Sequence, residues 1–285
     1  MDERSLFTNE RVWLGMIKQK QIYIVPSWHC NLNCSHCFVH LKKDEYNKDV
    51  FISKLNELKT NYSEACFILH GGEPTLYQDR YFDILNTNSI DSICTNLIVN
   101  DTIIDDLNKR NIAIATSWNP YRFNKDTYNI WINNIKKLES KPRILITLDK
   151  DLIGYDINLF MQFLKELENL KIKEILFEVL VNNSLDDTFQ NEVDEWLCNL
   201  HQLWKDYNLG LNNIIEQQIL HWDFRCDSLT LYPDGQVKRG CILGDECHRV
   251  LDKCLHCNLA KVCKPCVLHS RCSFFPKLYN LIKNA

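Results

Sequence analysis

Between residues 20 and 215 the chain alternates short runs of β-branched and apolar residues with longer stretches in which apolar positions recur every three or four residues. Short runs of the first kind suit strands buried on both faces, and the longer pattern suits amphipathic helices laid over them. The runs Gln21–Val25, Cys66–His70, Ser92–Val99, Ile112–Ser117, Arg143–Asp149 and Glu174–Val181 are predicted strands, and helices are predicted to open near Asp49, Asp79, Asp101, Lys125, Asn158 and Asp187. Several of these helices start on Asp or Asn, whose side chains accept the orphan N–H groups of a first turn. The fourth sets Tyr128, Trp131, Ile132, Ile135 and Leu138 on one face, most simply a core stripe.

Strand and helix alternating at a spacing of roughly 30 residues signal repeated β/α units around a parallel sheet. Six units are fewer than the eight that close a barrel, so the expected fold is α/β, a partial (β/α)6 barrel, with a doubly wound sheet as the alternative. Both arrangements gather chemistry at the carboxyl ends of the strands. Cys30 follows the first predicted strand, Gly71-Gly72 the second, and Asn96 and Ser117 sit near the ends of the third and fourth.

Charge narrows the range of partners. With 33 Lys+Arg against 37 Asp+Glu, the net charge of -4 argues against electrostatic capture of nucleic acid or an anionic membrane. No apolar run reaches the ~18–20 residues of a membrane span, and the opening Met1-Asp2-Glu3-Arg4 lacks the basic-then-apolar order of a signal peptide, so a cytoplasmic location is expected. In that reducing compartment 14 cysteines point to metal rather than disulfides. Eight of them fall after residue 225, which predicts an N-terminal extension at 1–19, a core domain at 20–219 and a small cysteine-rich C-terminal domain at 220–285.

The first cluster lies in Trp28-His29-Cys30-Asn31-Leu32-Asn33-Cys34-Ser35-His36-Cys37-Phe38. A structural zinc site takes four protein ligands, whereas an iron–sulfur cubane held by three thiolates keeps one iron open for chemistry. A zinc knuckle completed by His29, His36 or His40 is the structural alternative. After the second strand, Gly71-Gly72-Glu73-Pro74 contains the only adjacent pair among eight glycines. Such a pair lets backbone approach a ligand closely. A tight strand-to-helix turn closed by Pro74 is the plainer reading.

In the tail, Cys226 and Cys241 flank Leu229–Val237, an alternating run whose Pro233-Asp234-Gly235 turn predicts a β-hairpin. Cys247 follows, and then Cys254, Cys257, Cys263, Cys266 and Cys272 at spacings too short for a hydrophobic core. Two CxxC pairs suit a four-cysteine zinc site as well as a cluster. Cys66, Cys94 and Cys198 are isolated in apolar patterns and read as small core residues. Asp149, Glu178, Asp245 and Glu246 are carboxylates of the kind more often ion-paired than catalytic.

Cys30, Cys34 and Cys37, with His36 before the last cysteine and Gly71-Gly72-Glu73-Pro74 one strand later, resemble the radical S-adenosylmethionine (SAM) superfamily. The tail resembles the SPASM extension of its peptide-modifying members. The resemblance implies a [4Fe–4S] cluster on Cys30, Cys34 and Cys37, with SAM chelating the fourth iron, and reductive cleavage to a 5′-deoxyadenosyl radical that abstracts hydrogen from substrate. It implies that Gly71, Gly72, Glu73 and Pro74 hold the SAM amino group and methionine moiety, and that Asn96 and Ser117 supply polar contacts to SAM. Members often carry Gly after that Asn and Asp-Gly beyond that Ser, where this chain has Leu97 and Trp118-Asn119.

For the tail, the resemblance implies two auxiliary [4Fe–4S] clusters: an outer one on Cys254, Cys257, Cys263 and Cys272, and an inner one on Cys226, Cys241 and Cys266, with Cys247 as a possible fourth ligand. The sulfatase-maturing branch places an acidic residue after the cysteine matching Cys241, whereas this chain has Ile242. The expected activity is therefore maturation of a ribosomally made peptide by crosslinking, epimerisation or oxidation, fed by a flavodoxin- or ferredoxin-type electron donor. The roughly twenty residues before the first strand are too few for a leader-recognition domain, so a separate leader-binding protein or edge-strand pairing is expected. The alternatives are dehydrogenation of a small molecule such as an aminocyclitol or sugar alcohol, and a non-catalytic zinc-binding module.

Overall fold

The computed structural model describes residues 20–34, 37, 39, 45–110, 112–179, 187–207, 212–213, 228–239, 277 and 281. Cys226, Cys241, Cys247, Cys254, Cys257, Cys263, Cys266 and Cys272 lie outside the described residues, as do His36, His40 and residues 1–19. The elements in chain order are β1 (Gln21–Ile24), α1 (Lys48–Asn61), β2 (Cys66–Leu69), α2 (Gln78–Leu85), β3 (Ser92–Cys94), α3 (Asp101–Arg110), β4 (Ala113–Trp118), α4 (Lys125–Lys137), β5 (Arg143–Leu148), α5 (Lys150–Ile153), α6 (Ile157–Asn169), β6 (Glu174–Val179), α7 (Asp187–Tyr207), β7 (Asn212–Asn213), β8 (Leu229–Leu231) and β9 (Val237–Arg239). All six predicted β/α units are present.

The described chain forms two compact units, one of residues up to Thr116 with Asn129–Pro142 and 228–239, the other of Ser117–Tyr128 with those from Arg143 to 213. In the first unit the strand order is β9-β8-β1-β2-β3-β4, with β1 to β4 parallel neighbours in sequence order. An order without reversal is that of a barrel segment, not of a doubly wound sheet, whose order reverses at a switch point. Ile22, Ile24, Phe67, Leu69 and Ile93 are fully buried, and α1 to α4 cover them with Phe51 and Leu55, Tyr81 and Ile84, Ile103 and Ile104, and Trp131 and Ile135. The helices start where the pattern predicts, but the caps are residues just upstream of those expected: Asn47, not Asp49, accepts from Val50 N at 3.2 Å, and Asn100, not Asp101, from Ile103 N at 3.3 Å.

Two features depart from the pattern. The third strand, predicted to run to Val99, ends at Cys94, because Leu97 adopts φ +57° and turns the chain out of the ladder. The hairpin of the tail extends the sheet: β8 pairs parallel with β1, and β9 returns antiparallel across Gly235 at φ +83°.

In the second unit β5, β6 and β7 are parallel in sequence order. Arg143 and Glu174 open β5 and β6 as a buried ion pair, guanidinium to carboxylate at 2.7 and 2.8 Å. Asp149 caps α5 and Asp156 caps α6. Phe160 and Phe163 of α6 pack with Trp118 and Trp196, the Trp118 ring stacked on Phe163 at 3.8 Å. No helix among the described residues is long and apolar enough to cross a membrane.

Candidate active site

The cysteine loop leaves β1 through Val25, Pro26 and Ser27, and its backbone lies directly on the turn that follows β2. Gly72 N donates to Ser27 O at 3.0 Å and Glu73 N to His29 O at 2.7 Å. A Cβ on Gly72 would stand 2.1 Å from His29 O and 2.5 Å from Trp28 O, and one on Gly71, at φ +128°, would stand 2.5 Å from Ser27 O. Only glycine fits at either position. The close approach that the pair permits is made by the chain's own loop, so the turn and the cysteine loop are built as one piece. Trp28, buried against Val39 and tilted over Tyr232, anchors the loop from the other side.

Glu73 ties this piece to the end of β3. Its carboxylate is buried, and Oε1 accepts from Thr75 N (3.1 Å), Thr75 Oγ1 (2.6 Å) and Thr95 Oγ1 (2.8 Å), while Oε2 accepts from Asn96 N (2.7 Å). Burial pushes its pKa above the ordinary carboxylate value, against the pull of these donors. With both oxygens engaged by protein donors and the N–H groups of Gly71, Gly72 and Glu73 already donating within the chain, the turn is left its backbone carbonyls for contact with a ligand.

Asn96 is brought to the cysteine loop. Its Oδ1 accepts from Ile98 N at 2.8 Å, which orients the amide, and its Nδ2 faces Asn31 Oδ1 at 2.6 Å and Cys30 Sγ at 3.6 Å. The Cys30 sulfur also receives Leu32 N at 3.4 Å, and Asn31 Nδ2 donates to Ile98 O at 3.0 Å. N–H donors aimed at a cysteine sulfur stabilise the thiolate form that a metal ligand requires. Leu97, the residue standing where the resemblance expects Gly, takes the left-handed conformation that favours Gly.

Cys30, Cys34 and Cys37 are half-buried thiols on one loop, with Cys37 N donating to Cys34 O at 3.1 Å. Among the described residues no three His, Cys, Asp or Glu side chains already stand together as a ready metal site. The donor set nonetheless fits a three-thiolate cluster: soft ligands at the carboxyl end of a strand, one of them held by two N–H groups. His29 Nδ1 is engaged with Tyr77 OH at 2.6 Å. His70, the last residue before the glycine pair, accepts Gly71 N at Nδ1 (2.7 Å), and burial lowers its pKa from 6.5 to about 4, leaving it neutral.

Ser117 is half-buried at the end of β4, in the second unit. Just beyond it, Asn119 Nδ2 donates to both oxygens of Asp149 at 2.9 and 3.0 Å, and Asp149 Oδ1 also caps Leu152 N. Asp149 is thus a structural carboxylate, as carboxylates of its kind more often are. Tyr128, read from the sequence as core, instead lines a cavity of about 430 Å³ together with Trp118, Phe123, Tyr155, Gln162 and Glu166, and donates its hydroxyl to Glu166 at 2.7 Å. Cys66 packs with Ile68 in the core, and burial raises its thiol pKa. The pattern gave no reason to select Asn31, which bonds Asn96 and Ile98, Thr75 and Thr95, which hold Glu73, or Asn134, a polar residue on the apolar face of α4 whose Nδ2 donates to Leu97 O.

No family model matches the sequence, and neither does any curated protein. Solved structures do match. One is native anSMEcpe with bound AdoMet and the Cp18Cys peptide, at 16% identity over 94% of this chain and 100% of that chain, TM-score 0.63. A second is Streptococcus suis SuiB bound to S-adenosylmethionine, at 18% identity over 86% of this chain and 72% of that chain, TM-score 0.61. SuiB bound to its precursor peptide SuiA matches at 16% identity over 90% of this chain and 73% of that chain, TM-score 0.59. This chain has their fold. Identities this low carry the likeness no further, because one fold hosts many chemistries.

Proposed function

We propose that the protein is a radical SAM enzyme with a SPASM-type C-terminal extension, acting on a ribosomally made peptide. The observation that carries this reading is the Cx3Cx2C loop at the carboxyl end of β1, packed backbone to backbone on the Gly-Gly-Glu-Pro turn, within a fold shared with structures that hold SAM and peptides. Cys30, Cys34 and Cys37 would hold a [4Fe–4S] cluster. Gly71, Gly72, Glu73 and Pro74 would receive the SAM amino group and methionine moiety through their backbone, since the Glu73 carboxylate is engaged by Thr75, Thr95 and Asn96. Asn96, whose amide also faces Cys30, and Ser117 would supply polar contacts to SAM. When bound, cluster and cofactor supply a 5′-deoxyadenosyl radical for hydrogen abstraction.

The same reading assigns residues 20–219 to the core and 220–285 to the extension, with Cys226, Cys241, Cys247, Cys254, Cys257, Cys263, Cys266 and Cys272 serving two auxiliary clusters. The partners are the precursor peptide, a flavodoxin- or ferredoxin-type reductant in the cytoplasm, and for the leader either a separate binding protein or direct pairing with an edge strand. The test is iron and acid-labile sulfide per chain after anaerobic reconstitution, in wild type and in the variant with Cys30, Cys34 and Cys37 all changed to Ala. About twelve irons should fall to about eight, and SAM cleavage to 5′-deoxyadenosine should cease. Stoichiometric zinc without sulfide, unchanged in the variant, would overturn the reading.

A further inference from the structure

We infer that Asn134 is a positioning residue for Cys30, acting through the strained turn that follows β3; this rests on the cluster reading above. Asn134 lies on the sheet-facing side of α4 and is 3% exposed. A lone amide on an apolar helix face is unfavourable unless its donors are used. Here its Nδ2 donates to Leu97 O and to Val99 O, both at 2.9 Å. The residue between α4 and the cysteine loop is therefore Leu97, and its conformation is the unusual one. At φ +57° a leucine is disfavoured by roughly 1–2 kcal/mol. Such strain persists only where the surroundings over-determine it. Leu97 is held by its fully buried side chain, by Leu97 N donating to Thr95 Oγ1 at 3.1 Å, and by Asn134 at its carbonyl.

The turn has a consequence at the sulfur. With Leu97 left-handed, Ile98 N reaches back to Asn96 Oδ1 and fixes which way the Asn96 amide points, so that Nδ2 and not Oδ1 faces Cys30 Sγ. Asn31 is stapled to the same segment twice, accepting from Asn96 Nδ2 and donating to Ile98 O. If Asn134 loses its amide, two carbonyls lose their donor and Leu97 is released toward negative φ. The Asn96 N–H then leaves the sulfur. Hydrogen bonds to cluster sulfurs are a main protein lever on reduction potential, and removing one makes reduction harder.

The experiment uses the full-length, reconstituted protein and reads the midpoint potential of the paramagnetic signal that responds to added SAM. Asn96→Ala removes the N–H directly and should lower the reduction equilibrium constant several-fold, a tenfold change being 59 mV for one electron. Asn134→Ala should shift it in the same direction, and the Asn96→Ala/Asn134→Ala double variant should equal Asn96→Ala alone. Ile135→Ala, a fully buried position on the same helix, should destabilise the protein without moving the potential. A potential unchanged in Asn134→Ala, or additive shifts in the double variant, would overturn the inference. If wild type assembles no SAM-responsive cluster, iron and sulfide report it directly, and the cluster reading falls first.

Discussion

The Glu73 knot allows a prediction that holds for either protonation state of the carboxyl. Each of its oxygens accepts one backbone N–H, Oε1 from Thr75 and Oε2 from Asn96. A glutamine at this position keeps the size and shape but presents one oxygen and one NH2. Whichever way the amide is turned, its NH2 faces one of those two backbone donors. The variant Glu73→Gln therefore strands a buried N–H with no acceptor, which costs about 1–3 kcal/mol. Urea unfolding of the cofactor-free protein near pH 5 should show a lowered midpoint at unchanged slope, since the surface exposed on unfolding is the same. The pH dependence has a definite sign. Burial raises the folded-state pKa of Glu73, so the native protein holds its proton more tightly than the unfolded chain does. Its contribution is full below the ordinary carboxylate pKa of about 4.3 and is lost as pH rises through the raised value. The gap between wild type and Glu73→Gln should therefore narrow as pH rises. A variant as stable as wild type near pH 5, or a gap that widens with pH, would refute this account of the knot.

Other perturbations reach different parts of the structure. Gly72→Ala forces a methyl onto the carbonyls of Trp28 and His29, and overpacking against backbone should cost roughly 1–3 kcal/mol together with reduced iron loading, read from urea midpoints and iron content. His70, whose pKa drops from 6.5 unfolded to about 4 folded, contributes stability that is present above pH 6.5 and lost as pH falls toward 4; the upper bound is roughly 3 kcal/mol, and His70→Gln should flatten the stability profile across that window. Arg143→Ala leaves the buried Glu174 carboxylate without its partner and should cost about 3–5 kcal/mol, whereas replacing both residues with apolar ones of similar volume should cost far less, as thermal unfolding of the single and double variants would show.

Much of the architecture was legible in the amino-acid order because it depends on neighbours in sequence. The six strands and the helices start within a residue or so of where the pattern puts them. The caps, however, are Asn47, Asn100 and Asp156 and not Asp49, Asp101 and Asn158, because the capping side chain sits two or three residues before the N–H it reaches. The requirement for two glycines at 71 and 72 was legible too, but not what fills the space they leave, which is backbone from the preceding β/α unit. Leu97 could not have been found by pattern: a buried leucine reads as strand, and its left-handed turn depends on Asn134, 37 residues further on. Asn134 itself looks like a break in an apolar face until its two acceptors are placed beneath it. Periodicity and caps are short-range and survive in the linear chain. The meeting of Asn96 with Cys30, the stapling of Asn31 to Ile98 and the engagement of Glu73 by Thr95 and Asn96 are set by hydrogen-bond partners that only the parallel order of β1, β2 and β3 brings together.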